Sequence, residues 1–263
     1  MDPLEFVNEE VPHLQESLMN PAWIVNDGGT IGFTQYVLWM CIIFAIVLII
    51  VLAVSKRLTL VPNNKFVNMV EYGYQFVRKD MGEGIIGHGY KKHVPFLATL
   101  FFFILVSNFV GLIPGCRTPT GSLSITWALA IISFIYFNAC GIKTFGVLGY
   151  IKHIAPAGLP PVMVPIIWLL EVVSLFLRAL TLAVRLFGNM FAGHMALGVF
   201  SLLATGFFTA AIQGAGVALG GISAAWVLFL VAMYALETLV AFVQAYVFTV
   251  LSAVYIALAT SEH

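Results

Sequence analysis

Arg185 is the residue in this sequence whose presence most needs a chemical explanation. It lies in an apolar stretch, Val162 to Phe208, whose other ionisable residues are Glu171, Arg178 and His194. An arginine at the centre of a membrane-spanning helix costs roughly 2.5–3.5 kcal/mol on insertion scales, so such a residue indicates a function. A helix that only packs against lipid has no use for this charge.

Further polar residues follow Arg185 along one face of the predicted helix. At 100° per residue, Asn189 and Glu171 lie about 40° from Arg185, whereas Arg178 and Ser174 lie about 20° from it. The resulting stripe extends about 27 Å along the helix at 1.5 Å per residue. A salt bridge between Glu171 and Arg178 would explain those two residues without any function. It would leave Arg185, about two turns deeper, unexplained.

A second polar helix near the C-terminus supplies partners for the first. Glu237 and Gln244 are seven residues apart and share a face, while His194 lies about 180° from Arg185 and must meet a different neighbour. If the two helices form an antiparallel hairpin that bends near residue 215, Arg185 is level with Gln244, and His194 is level with Glu237. A His–Glu layer can relay protons because histidine titrates near physiological pH. A static buried hydrogen bond is the alternative.

The composition around these residues is that of a membrane protein. Hydrophobic residues make up 61% of the 263 residues and charged residues 9%, against about 25% charged in soluble domains. The formal net charge is zero, so nothing indicates a nucleic-acid partner. The three cysteines have no metal-ligand spacing, His-Glu-x-x-His is absent, and no cofactor is expected. The N-terminus lacks the basic start of a signal peptide.

The hydrophobic pattern predicts an all-α membrane protein with five transmembrane helices. A span needs about 20 mostly apolar residues. The predicted spans are about 33–54, 94–113, 123–142, 162–208 and 223–259, in one membrane domain over residues 31–263 that follows an outer N-terminal tail, residues 1–30. The last two spans are expected to form a long tilted helical hairpin. Residues 64–81 carry Phe66, Met69, Val70, Tyr74 and Val77 at helical spacing, which predicts an interfacial amphipathic helix or, alternatively, a solvated loop helix.

The placement of lysine and arginine predicts the orientation of these spans. The loops after the first span and before the Arg185 helix carry most of the basic residues: Lys56, Arg57, Lys65, Arg78, Lys79, Lys91, Lys92, Lys143 and Lys152. The opposite side has Arg117, and the N-terminal tail has acidic residues and no basic one. We therefore expect the N-terminus outside and the C-terminus in the cytoplasm.

Other classes of membrane protein fit these residues less well. A secondary transporter or channel shares the intramembrane charge, but transporters typically contain internal repeats, and none is found here. A membrane haem protein needs more histidines at membrane depth than His194. A structural scaffold does not need Arg185.

Several motifs together point to one family: Ser107-Asn108 with Gly111-Leu-Ile-Pro114-Gly115, a proline-rich approach to Glu171, Arg185-Leu-Phe-Gly-Asn189-Met, Ala192-Gly193-His194, and Gln244-Ala-Tyr-Val-Phe followed by Tyr255 and a Ser-Glu-His terminus. The chain resembles subunit a of the F-type ATP synthases, the membrane stator subunit beside the rotating c-ring. The resemblance covers most of the chain but is weak before Pro21, and the tail is assigned no role.

The resemblance implies a role for each polar residue. Arg185 matches the essential arginine that faces the c-ring carboxylate, and Gln244 matches its partner on the last helix. Asn189, His194 and Glu237 match the outer proton half-channel. Glu171, Ser174 and Arg178 match the inner half-channel. In some members Glu stands on the arginine helix and His on the last helix, whereas here the two are exchanged.

The implied partners are the c-ring, the peripheral-stalk b subunits and the lipid bilayer of a bacterial-type plasma membrane, with no nucleic acid. The implied role is proton translocation to the c-ring carboxylate through two offset half-channels separated by Arg185, in a subunit that is not itself catalytic. The choice between H⁺ and Na⁺, the size of the ring and the preferred direction of the motor depend on other subunits.

Overall fold

The computed structural model describes residues 3–19, 23–25, 33–55, 65–113, 116, 118–153, 163–212 and 217–260. The predicted bend near residue 215 lies outside these ranges. So do Lys56, Arg57, Pro114, Gly115, Arg117, Pro156, Pro160, Pro161 and the terminal Ser-Glu-His.

Seven α-helices account for most of the described chain. They are α1 (Pro3–Met19), α2 (Gln35–Ser55), α3 (Lys65–Phe76), α4 (Val94–Gly111), α5 (Leu123–His153), α6 (Val164–Ala210) and α7 (Val217–Thr260). A π-helix, Val77–Ile86, continues α3, and short 3₁₀ turns occupy Tyr90–Lys92 and Pro119–Gly121. Two short antiparallel strands, β1 (Trp23–Val25) and β2 (Phe33–Thr34), precede α2.

Five of these helices are long and apolar enough to cross a membrane: α2, α4, α5, α6 and α7. The predicted all-α membrane architecture is confirmed. Helices are the form expected, because a helix satisfies its own backbone hydrogen bonds where no water is present.

Helix α5 extends beyond the predicted end at residue 142 and is broken at Gly146. Gly146 has φ 73° and ψ 166°, a conformation that only glycine adopts without strain. The chain then turns back, and the Tyr150 hydroxyl donates a hydrogen bond to Asn138 Oδ1 at 2.9 Å. Twelve residues of straight helix would separate these two residues by about 18 Å. The turn also places the Tyr150 ring against Gly141.

Helices α6 and α7 form the predicted antiparallel hairpin. Ser223 Oγ on α7 donates to the carbonyl of Ala204 on α6 at 2.9 Å, and the rings of Phe200 and Phe229 stack at 6.5 Å. These contacts have the register expected from the sequence, in which Arg185 is level with Gln244 and His194 is level with Glu237. The 47 residues of α6 extend about 70 Å, more than twice the hydrocarbon core of about 30 Å.

The core lies where α4, α5 and α7 meet. Phe101 and Ile104 of α4 and Phe248 of α7 are among its fully buried side chains. Ser133 of α5 and Ser252 of α7 approach to 2.9 Å between their hydroxyl oxygens. Small residues at such contacts allow helices in a membrane to pack closely.

The predicted apolar face of residues 64–81 is divided in the structure. Phe66 and Met69 are 48% and 64% exposed, whereas Val77 is buried together with Val67 and Met81. The division begins within α3 itself, where Val67 is buried and Phe66 and Met69 are exposed. After Phe76 the chain continues as a π-helix, whose wider turns also change the angle between successive residues. The exposed residues of α3 therefore combine large apolar or aromatic side chains, such as Met69 and Tyr72, with the polar Lys65, Asn68 and Gln75.

The N-terminal helix α1 packs on α6. The Leu14 side chain lies so close to Gly198 that a Cβ at that position would overlap it. The weak sequence resemblance before Pro21 gave no indication of this contact.

Candidate functional site

Arg185 lies near the middle of α6 on its exposed face. The exposed apolar residues Leu177 and Val184, 45% and 48% exposed, lie about 80° and 100° around the helix from Arg185. Polar residues of the stripe, the half-buried Asn189 among them, share its own face. Within the described part of the chain, Arg185 has no hydrogen bond or ion pair. The structure therefore does not join Arg185 to Gln244, whose side chain is buried inside the subunit. Arg185 is therefore open to a partner from outside the subunit.

Glu237 of α7 is buried against the backbone of α6. A Cβ on Gly193 would overlap the Glu237 carboxylate, so α6 needs glycine at this point. Glu237 is 3% exposed and its Oε1 atom has no hydrogen-bond partner. An unpaired carboxylate at this depth is expensive, and intramembrane carboxylates usually mark an ion pathway.

His194 and Glu237 are level with each other but are not hydrogen bonded. His194 Nε2 is buried without a partner and is directed toward α4, where a Cβ on Gly111 would lie 3.3 Å from it. The direct His194–Glu237 hydrogen bond that the predicted hairpin would allow is therefore not present. The physical reason is that the Glu237 carboxylate occupies the space beside Gly193, while the His194 imidazole extends from a different side of α6 toward Gly111.

Four buried polar atoms without a partner occur along α4, α6 and α7 in the described residues. They are Ser107 Oγ, His194 Nε2, Glu237 Oε1 and Gln244 Nε2. Buried polar groups are normally satisfied by protein or by ordered water, so this group of atoms indicates a polar path. Asn189 of α6 is half-buried.

A hydrogen-bonded network on α4 adjoins these atoms. Asn108 Nδ2 donates to the carbonyl of Ala241 on α7 at 3.1 Å, and Thr120 Oγ1 donates to Asn108 Oδ1 at 2.8 Å. Thr118 in turn donates to the carbonyl of Ser107 at 3.0 Å. The network fixes the α4–α7 contact one turn from Glu237 and Gln244. In the sequence, Ser107-Asn108 is one of the motifs that carry the family resemblance, and the sequence indicates no role for it.

A second polar group lies toward the N-terminal end of α6. Arg178 Nη2 donates to Glu171 Oε1 at 2.9 Å, which is the salt bridge that the sequence offered as an alternative explanation. The Arg178 guanidinium also lies 5.5 Å from the centre of the Tyr255 ring on α7. Ser174, on the same face, is half-buried.

Tyr150 and Asn138 extend this second group and were not identified from the sequence. Tyr150, whose hydroxyl is held by Asn138, is buried in the apolar cluster against which Tyr255 packs. No sequence signal could have joined them, because their contact depends on the break at Gly146.

Outside the spans, His93 caps the start of α4. Its Nδ1 lies 3.1 Å from the Tyr136 hydroxyl. Partial burial lowers the pKa of His93, and the positive charge of Lys92 lowers it further. Among the described residues, no three His, Cys, Asp or Glu side chains are grouped so that they could hold a metal ion.

Comparison with known proteins identifies similar chains. A family profile described as "ATP synthase A chain" matches residues 37–257. A protein named ATP synthase subunit a from Chloroherpeton thalassium is 38% identical over 239 residues, which cover 89% of this chain and 68% of the relative.

Two further relatives carry the same name. The protein from a Nocardioides species is 39% identical over 237 residues, covering 88% of this chain and 83% of the relative. The protein from Bartonella bacilliformis is 38% identical over 215 residues, covering 82% and 81%. The profile match extends from α2 to α7 and so contains all the polar groups described above.

Proposed function

The chain belongs to the ATP synthase A chain family, and from this premise we propose that it carries protons through two offset half-channels separated by Arg185. The coarser role follows from the family itself: the chain is a non-catalytic, membrane-embedded subunit of the proton-translocating Fo sector. The half-channels, their residues and the role of Arg185 are the proposal.

The observation that carries the proposal is the exposed guanidinium of Arg185 at the middle of α6, which has no partner within the described part of the chain. Charges inside a membrane pair with another charge or face water. Because the described part of this chain gives Arg185 no partner, we assign the partner to another subunit, namely the ion-binding carboxylate of the c-ring.

Electrostatics explain why an arginine suits this position. A unit charge about 4 Å from a carboxylate contributes roughly 4 kcal/mol at an effective dielectric constant near 20. This interaction favours release of the rotor's proton as the carboxylate passes Arg185. A guanidinium stays charged when buried and cannot itself pass a proton, whereas a lysine ammonium loses its proton readily under burial.

The two polar groups described above form the two half-channels. Asn189, His194, Glu237 and Gln244 belong to the outer one, and the unpaired buried atoms of the last three support this assignment. Glu171, Ser174 and Arg178 belong to the inner one, in which Glu171 and Arg178 form a salt bridge at 2.9 Å. Protons reach the rotor on one side of Arg185 and leave on the other, so net flux requires rotation.

The remaining partners and the orientation complete the proposal. We place the chain in a bacterial plasma membrane beside the c-ring and the peripheral-stalk b subunits, with its N-terminus outside and its C-terminus in the cytoplasm. The distribution of lysine and arginine supports this orientation.

Replacement of Arg185 tests the proposal directly. In membrane vesicles that contain the assembled complex, Arg185→Ala should abolish proton-driven ATP synthesis and permit a passive proton leak, because no fixed charge then separates the half-channels. Arg185→Lys should also fail to couple. Fluorescence quenching by a pH-sensitive dye measures the leak.

Arg178→Ala is the matched control on the same helix. It removes an arginine that has a partner within the subunit, so transport should slow without a leak. Normal coupling in Arg185→Ala, or a complex that transports protons without a c-ring, would contradict the proposal.

A further inference from the structure

A cavity of about 340 Å³ lies between α2, α3 and α4, away from both polar groups of α6 and α7. Three valines of α2 form one wall, including Val51. Tyr74 of α3 and Phe102 of α4 contribute the opposite walls. Neither the proton path nor the packing core uses this space.

The walls of the cavity are apolar, and one side faces the bilayer. Val51 is 49% exposed on a helix that is a candidate span. Thr99 also lines the cavity, but its hydroxyl donates to the carbonyl of Pro95 at 2.8 Å and so is already satisfied. A dry cavity open to lipid suits a hydrocarbon chain, since apolar cavities exclude water.

The charges that bear on the cavity come from one lining residue and from its neighbours along the chain. Glu71 is the one charged residue among those that line it, and one of its oxygens, Oε1, accepts a hydrogen bond from Gln75 at 3.3 Å. Exposed cations lie close by in the chain: Arg78 follows Tyr74 by four residues, and Lys91 and Lys92 precede Pro95. The Glu71 carboxylate in the lining complements an ammonium group, and the exposed bases about one helical turn along the chain from Tyr74 and Pro95 complement a phosphate.

We propose that this cavity binds a glycerophospholipid with a primary-amine headgroup. One acyl chain fills the space beside Val51, the ammonium group meets the Glu71 carboxylate, and the phosphate lies among Arg78, Lys91 and Lys92. Basic groups at the membrane interface between transmembrane helices bind lipid phosphates in this way. The site does not depend on the proposed proton path.

The test uses the assembled complex in vesicles that contain phosphatidylethanolamine with a photoactivatable acyl chain. After illumination, mass spectrometry of peptides from this chain should locate the label on α2 and α4 around the cavity. Val51→Trp fills the cavity and should reduce the labelling roughly tenfold, equivalent to about 1.4 kcal/mol. Leu52→Trp is the matched control: it is adjacent, similarly exposed and does not line the cavity, so labelling should persist.

The headgroup is tested with a second pair of variants. Glu71→Gln should reduce labelling by the amine lipid roughly tenfold through loss of a charge-assisted contact, while Glu83→Gln, at an exposed position outside the cavity, should not. An equivalent phosphatidylglycerol probe should label weakly and be indifferent to Glu71→Gln. Equal labelling by both probes would overturn the amine assignment. Absence of label around the cavity, with label elsewhere on the chain, would overturn the proposal.

Discussion

At the scale of single residues, the position of each ionisable group relative to the subunit surface separates two kinds of site. Arg185 is exposed at the middle of α6, whereas Glu237 is buried against Gly193. An exposed charge in a membrane protein requires a partner from outside the chain, while a buried unpaired carboxylate requires water or a proton. The same chain thus holds one group suited to facing a rotor and another suited to taking up protons.

The relation between His194 and Glu237 can be tested by a double-mutant cycle. Each single replacement should slow proton uptake by an amount equivalent to about 1–3 kcal/mol, because a buried polar group loses its polar surroundings. Although the two residues are not hydrogen bonded, they are level and adjoin the same polar path. We therefore expect their coupling energy to exceed the few tenths of a kcal/mol that independent sites show.

Exchanging the two residues, with His194→Glu and Glu237→His together, should recover more activity than either half of the exchange. ATP-driven acidification of vesicles is measured for the unchanged protein, the two single variants and the double variant. Strictly additive effects would mean that the two side chains act separately.

At the scale of elements, the close approach of α6 and α7 depends on Gly193. An alanine there would gain about 0.5–1 kcal/mol in helix propensity, yet its Cβ would overlap the Glu237 carboxylate. We expect Gly193→Ala to displace that carboxylate and to slow proton pumping in vesicles.

The control is Gly221→Ala, on α7, where a Cβ meets no atom within 4 Å. Gly221→Ala should keep normal pumping. If Gly193→Ala pumped as well as the control, the placement of Glu237 beside the α6 backbone would be wrong.

The break in α5 gives a second prediction at this scale. Alanine at Gly146 would be forced into a conformation of positive φ and extended ψ that only glycine adopts readily, at a cost of roughly 1–3 kcal/mol, and the turn that brings Tyr150 to Asn138 would be strained. Thermal unfolding of the purified complex should show Gly146→Ala to be destabilised.

Tyr150→Phe measures the contribution of the hydrogen bond to stability separately from that of the backbone conformation at Gly146. It keeps the ring against Gly141 and should cost only about 0.5–1.5 kcal/mol. A Gly146→Ala protein as stable as the unmodified one would show that the chain continues as a straight helix through this position.

At the scale of the whole molecule, the orientation in the membrane decides which polar group faces which compartment. In a chain whose native cysteines are replaced, Glu9→Cys should react with a membrane-impermeant maleimide added to intact cells, because the tail is expected outside. His263→Cys should react only after permeabilisation. Labelling of residue 263 in intact cells would reverse the topology and exchange the assignments of the two half-channels.

The sequence determined much of this protein because the membrane leaves few choices. Long apolar runs must be helices, so the five spans and the antiparallel pairing of α6 with α7 were predictable. The isolated charge of Arg185 and the stripe from Glu171 to Asn189 followed from helical spacing alone. The position of the bend near residue 215 also predicted that His194 is level with Glu237.

Only the tertiary structure decided which of these groups meet. Helical spacing gives the depth and direction of a side chain but not the space available beside it. The Gly193 backbone accommodates Glu237 and leaves His194 directed toward Gly111, and the turn at Gly146 brings Tyr150 to Asn138. Such contacts join distant parts of the chain through small-residue packing and one backbone angle, and neither has a periodic signal in the sequence.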